Sequence, residues 1–289
     1  MLVFGLAGSG KVFLTRGNSP VQQRSLTTAQ SSFVNTVLTM LSHSSEIHNL
    51  AQQGGGIRHS TTRLSRYLLT GLQAALWDTW GLTRANREEH RDQLRLLLGG
   101  CLPSGWSMHD ALSHDHKAMM REHSESQFVR RIHSVLFFVP LALLRSPALA
   151  HELQQSVELA HQIQSQGSEA DKEDGNIDGA RFDILLGLAC SSLGYRPIIC
   201  ISKPDEVIGA LRDNPLDDDL FQEDKSLAES VFQHPEAARP PTVLPVINYF
   251  GEDRRAFRIE AGILRILESA LKEASVFMRA HRRTLYQAV

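Results

Sequence analysis

Four clusters in this 289-residue chain have the residue types and spacing to do chemistry. The first is Gly5-Leu6-Ala7-Gly8-Ser9-Gly10-Lys11-Val12, whose GxxxxGK spacing is that of a phosphate-binding loop. That chemistry needs a Ser or Thr directly after the lysine to hold Mg2+, and a helix N-terminus aiming its amides at the phosphates. Here Val12 stands in the Ser/Thr position and a β-like run, Val12-Phe13-Leu14, follows, so the spacing alone does not carry a nucleotide site. The second cluster, His109, Asp110, His114, Asp115 and His116, is the densest set of metal-ligand types. On a helix Asp110 and His114 share one face and His109 and His116 another, so the set reads as a solvated polar face. The third, Asp217-Asp218-Asp219, lacks the alternation and central glycine of an EF-hand and reads as a loop. Neither a metal site nor a cofactor is expected. The fourth is Ser32, which a polar, turn-prone run, Ser25 to Ser31, delivers to the start of an apolar helical pattern. A helix start carries unpaired amides and the positive end of the dipole, and there a nucleophile is most easily held as an anion.

The run Gln30-Ser31-Ser32-Phe33-Val34-Asn35-Thr36-Val37-Leu38-Thr39-Met40-Leu41 resembles the nucleophile helix of papain-like deubiquitinating peptidases, of the ovarian-tumour (otubain) and ubiquitin-specific types, with Ser32 in the place of their cysteine. Downstream, Asp178 to Ala189 and then Leu193 to Ile201 resemble the helix and strand that precede the histidine segment of the ovarian-tumour type. Val243 to Phe250 would be the next strand, and Ala256, within Arg255-Ala256-Phe257, falls where that family has its histidine. The resemblance implies a papain-like arrangement in which Ser32 faces a strand carrying Ala256. It also implies a catalytically impaired domain that binds ubiquitin or a ubiquitin-like protein, because a serine without a base to take its proton does not attack. The alternative is a helical adaptor with no active site, whose Leu64 to Leu76 and 147 to 164 faces dock a partner helix.

The elements expected to position these residues make an α+β, predominantly helical fold. Residues 1–30 read as an irregular or short-strand segment. Residues 31–164 read as a helical region, in which Leu64, Tyr67, Leu68, Leu72, Ala75 and Leu76 recur at helical spacing behind Ser60 and Thr61. Further helices are expected at 86–98, 107–122, 125–139 and 147–164. Residues 165–179 read as a polar linker, and 180–289 as a small α/β region: a helix at 180–193, strands at 197–202, 243–250 and 256–260, and a long helix from about 261 to 282.

Composition bounds the function classes. A formal net charge of −2 argues against a nucleic-acid partner, which needs a clustered positive surface. The longest apolar run, Val135 to Leu144, is broken by Pro140 and falls short of the ~20 residues of a membrane span. Cys101, Cys190 and Cys200 are odd in number without CxxC spacing, which fits a reducing, cytoplasmic compartment.

Overall fold

The computed structural model describes residues 1–5, 29–42, 63–69, 71–79, 96–107, 131–146, 196–202, 204, 208, 217–233, 240–249 and 256–286. Its frame is one six-stranded sheet, built from β1 (Leu2–Gly5), β2 (Ser65–Leu69), β3 (Ala74–Asp78), β4 (Val135–Pro140), β5 (Ile198–Ser202) and β6 (Thr242–Val246). The strand order is β2-β3-β1-β4-β5-β6. Every pairing is parallel except the β2–β3 hairpin at one edge. The described helices are α1 (Ala29–Leu41), α2 (Leu141–Leu144), α3 (Asp218–Phe232) and α4 (Phe257–Tyr286).

The central strands are almost wholly apolar for a physical reason. A parallel strand covered on both faces cannot alternate with polar residues, and all of Val135 to Pro140 and all of Ile198 to Ser202 are buried. Adjacent residues of β4 show the two layers directly. Phe138 meets Phe33 of α1 at a centroid distance of 5.2 Å, and Phe137 meets Phe232 of α3 at 5.9 Å. Successive side chains of a strand point to opposite faces, so α1 and α3 cover opposite sides of the sheet. Helix α4 packs beside α1 and against β6. Its buried Ile259, Ile263, Ile266, Leu267, Ala270, Ala274 and Phe277 form a single stripe at helical period. Pro245 lies in β6, an edge strand, where its missing amide leaves no inner ladder bond unmade.

The expectation of a helical block followed by a small sheet is overturned, and with it the papain-like arrangement. Strands run from residue 2 to residue 246, and the 31–164 region supplies three of them. The segment expected as the clearest helix, Leu64 to Leu76, is the β2–β3 hairpin. Two short strands joined by a turn at Gly71 (φ 79°) reproduce the three-and-four spacing of a helix, since the turn shifts the apolar phase between them. Residues 135–139, expected at the end of a helix, are β4: a fully apolar run reads the same in a buried helix and a buried strand. The strand expected at 256–260 is the first turn of α4. Strands at 198–202 and 242–246 agree with expectation, as does the long C-terminal helix, which starts earlier. The linker, the helix at 180–193, the helix at 147–164 and the His109–His116 cluster lie outside the described residues. Among the described residues no helix is long and apolar enough to cross a membrane.

Candidate functional site at the carboxyl end of β1 and β3

In an open, mostly parallel sheet, ligands collect at the carboxyl ends of the strands where the chain switches direction across the sheet. Here that switch lies between β1 and β4: the chain leaves β1 toward β2 and β3 on one side, and leaves β4 toward β5 and β6 on the other. Gly5 ends β1, and β3 ends beside it with Asp78, Val3 being in register with Asp78.

α1 brings its first turns to the same place. Ser31, the third residue of α1, donates its hydroxyl to Asp78 Oδ2 at 2.9 Å. Both side chains are buried, Ser31 fully and Asp78 to 1% exposure. Among the described residues, the other carboxylate oxygen, Asp78 Oδ1, has no hydrogen-bonding partner, and neither has the buried Ser32 hydroxyl one residue further along α1. Burial pushes the Asp78 carboxyl up to about 7, against the weaker opposing pulls of the Ser31 hydroxyl and the Thr79 amide. An ionised carboxylate this far from water, with one oxygen bare, is costly unless a cation or proton joins it.

Below this cluster α1 is pinned to the core. Thr36 donates to Ser32 O at 2.8 Å and accepts from the Tyr249 amide at 3.2 Å, tying the helix to the chain just after β6. Phe33, Val34 and Val37 are fully buried. The helix face that carries Ser31 is therefore held rigidly against the strand end that carries Asp78.

The sequence-derived site residues fare differently. Ser32 does sit near the start of α1, in its first turn. Ala256 is not on a strand; it immediately precedes α4, where its amide donates to the Tyr249 hydroxyl at 2.8 Å. That hydroxyl in turn donates to Glu260 Oε1 at 3.0 Å, so the surroundings of Ala256 are a helix-start network. Asp217, expected in a loop, caps α3 by accepting from the amides of Asp219 and Leu220 at 3.1 and 3.3 Å. Asp218 pairs with Arg265 of α4 at 2.8 Å, which holds its carboxyl below the usual range. Cys101 and Cys200 are free thiols, and burial pushes both up in pKa, so neither is an activated nucleophile.

Sequence reasoning missed Ser31 and Asp78. The signal available for Ser31 was the unfinished GxxxxGK spacing at Gly5 to Lys11, which lacks only a hydroxyl residue next in line. For Asp78 the signal was an acidic residue closing the Ala74-Ala75-Leu76-Trp77 run, hidden because that run has the spacing of a helix. No protein-family profile matches this chain, and no curated protein matches it in sequence.

Proposed function

We propose that this protein binds a Mg2+–nucleoside triphosphate at the carboxyl end of β1, with the Gly5 to Lys11 loop around the phosphates and Ser31 and Asp78 at the metal. The observation that carries this reading is the buried Ser31–Asp78 hydrogen bond, which joins the start of the helix after β1 to the end of the adjacent parallel strand. A phosphate-binding loop works as a strand, a glycine-rich turn and a helix. Its Ser or Thr and an acidic residue at the end of a neighbouring strand hold the Mg2+. The donors here fit that ion. Mg2+ takes hard oxygen ligands, keeps several waters, and needs only one or two protein groups besides the phosphates. Asp78 Oδ1 is a buried oxygen that lacks a partner among the described residues, and a cation with its water shell would supply one. Bound Mg2+ shields the phosphate charge; the chain's own part is to fix the hydroxyl and the carboxylate at one point and keep bulk water from both.

The sheet order also gives the direction in which the base extends. With phosphates at β1, the base would lie toward the ends of β4 and β5, and β5 ends at Ser202, followed in sequence by Lys203-Pro204-Asp205. Asp205 lies outside the described residues; an aspartate in that chain position would select a base. A carboxylate accepts from the N1–H and exocyclic N2–H of guanine together, whereas adenine presents an acceptor at N1. Guanine nucleotides are therefore the proposed ligands. The two expectations drawn from the sequence, a ubiquitin-binding relic or a helical adaptor, draw nothing from the Ser31–Asp78 contact.

Titration with a fluorescent N-methylanthraniloyl GTP tests the reading. Expected are Mg2+-dependent binding, displacement by GTP but not by ATP, and a loss of at least about tenfold in affinity in Ser31→Ala, equivalent to about 1.4 kcal/mol. If neither this chain nor a chain in which Lys11 is joined directly to Ser31 shows Mg2+-dependent binding of any nucleotide, the proposal fails.

A further inference from the structure

We infer that residues 12–30 are an insertion that splits one phosphate-binding loop, a translated intervening sequence, and that the chain with Lys11 followed directly by Ser31 binds nucleotide more tightly than the full chain. This rests on the nucleotide reading of the site. Three observations converge on it. First, the hydroxyl residue that the motif requires immediately after its lysine is missing at Val12, yet a hydroxyl residue, Ser31, stands at the start of α1 bonded to Asp78. Removing the 19 residues from Val12 to Gln30 leaves Gly5-Leu6-Ala7-Gly8-Ser9-Gly10-Lys11-Ser31-Ser32, an unbroken GxxxxGK[ST] motif running into Phe33.

Second, the chain separation between β1 and α1 is long. Residues 6 to 28, 23 in all, separate β1 from α1, whereas strand-to-helix connections in such units run about 2–6 residues. The joined chain has six residues, Leu6 to Lys11, between Gly5 and Ser31. Gly10 and Lys11 then take the chain positions that Ala29 and Gln30 hold at the start of α1, so the helix register at Ser31 and the Ser31–Asp78 contact are preserved. The reach is short for a reason: consecutive Cα atoms lie only about 3.8 Å apart, and the lysine and the hydroxyl must act on adjoining phosphates and one metal ion.

Third, the ends of the segment have a shared property at the level of codons. Valine is encoded only by triplets beginning GT, and glutamine by CAA or CAG. A segment that opens on Val12 and closes on Gln30 thus opens on GT and is free to close on AG, the two boundaries of a spliced intron, and its 19 codons keep the frame. The segment is also polar, with two glycine- or proline-centred breaks at Gly17 and Pro20, whereas Ser31 and Phe33, which follow it, are fully buried.

Two measurements test this. Transcripts from the gene's own cells, amplified across codons 11 and 31, should include a product shorter by the 57 nucleotides of the 19 codons. Transcripts that all retain those codons overturn the inference, whatever the protein does. In parallel, the full chain and the chain lacking residues 12–30 are titrated with N-methylanthraniloyl GTP and Mg2+, with circular dichroism to establish that both are folded. The joined chain should bind at least about tenfold more tightly, and Lys11→Ala in it should abolish the gain. Equal binding by both forms overturns the inference while leaving the nucleotide reading standing. Absence of nucleotide binding by both folded forms overturns the nucleotide reading instead, together with the claim that the joined form binds more tightly.

Discussion

At the scale of single residues, Asp78 is a buried carboxyl, one oxygen of which lacks a hydrogen-bonding partner among the described residues. Its carboxyl sits at about 7 in the fold, well above the roughly 3.9 of a solvated aspartate, because it is cut off from water. The sign of the consequence follows from proton linkage. The folded state binds a proton more readily than the unfolded chain between about pH 4 and 7, so ligand-free stability contributed by this group falls as pH rises through that window and levels off above it. Each tenfold difference in proton affinity between the two states corresponds to about 1.4 kcal/mol, an upper bound for a site that can relax. Chemical denaturation of the ligand-free protein at pH 5 and pH 7.5 should show this loss, and Asp78→Asn should remove it. The same substitution should leave ligand-free stability unchanged or improved at pH 7.5 while eliminating Mg2+-dependent nucleotide binding. A marked loss of stability at neutral pH on Asp78→Asn would indicate that the carboxylate serves the fold and not a cation.

At the scale of elements, the sheet is held to its outer helices by a few directed contacts. Arg145, just after α2, makes a two-pronged bond to Asp224 of α3, with both distances 2.7 Å. Asp224 is buried to 4% exposure, whereas Arg145 reaches water. Removing the arginine leaves a buried carboxylate unpaired, so Arg145→Ala should cost about 2–4 kcal/mol in urea unfolding, more than an exposed ion pair is worth. The exposed Lys272–Glu268 pair on α4 serves as the internal contrast, and Lys272→Ala should be nearly neutral in the same measurement. These elements also show how far sequence reasoning reaches. Helices α1 and α4 were legible because each presents one apolar stripe at helical period behind a polar approach. β5 was legible because Ile198-Ile199-Cys200-Ile201 is short, β-branched and closed by polar residues on both sides. The β2–β3 hairpin was not, since its turn leaves the apolar positions three and four apart and the sole local cue is a glycine at positive φ.

At the scale of the whole molecule, a ligand that binds only the folded state stabilises all of it. The chain lacking residues 12–30 should gain about 2.7 kcal/mol of unfolding free energy at a GTP concentration one hundred times its Kd with Mg2+ present. Chelation of Mg2+ by EDTA should return its melting temperature to the ligand-free value, and ATP at the same concentration should leave that temperature unmoved. The stabilisation should appear as one cooperative shift, because Phe137 and Phe138 couple the layers on the two faces through adjacent positions of β4. Taken by itself, the sequence determined the local matters: that a helix follows Ser31, though it starts three residues earlier than residue 32, that β5 and β6 are strands, that α4 is long and amphipathic, and that a lysine ends a glycine-rich GxxxxGK run. Periodicity and turn chemistry act over a few residues, so they are readable without a partner. Which hydroxyl meets Asp78 was decided only by the tertiary structure. Ser31 and Asp78 are separated by 47 positions and meet solely because β1 and β3 are parallel neighbours with α1 packed across them. A buried pair made of one residue from each has no signature along the chain until the sheet order sets them side by side.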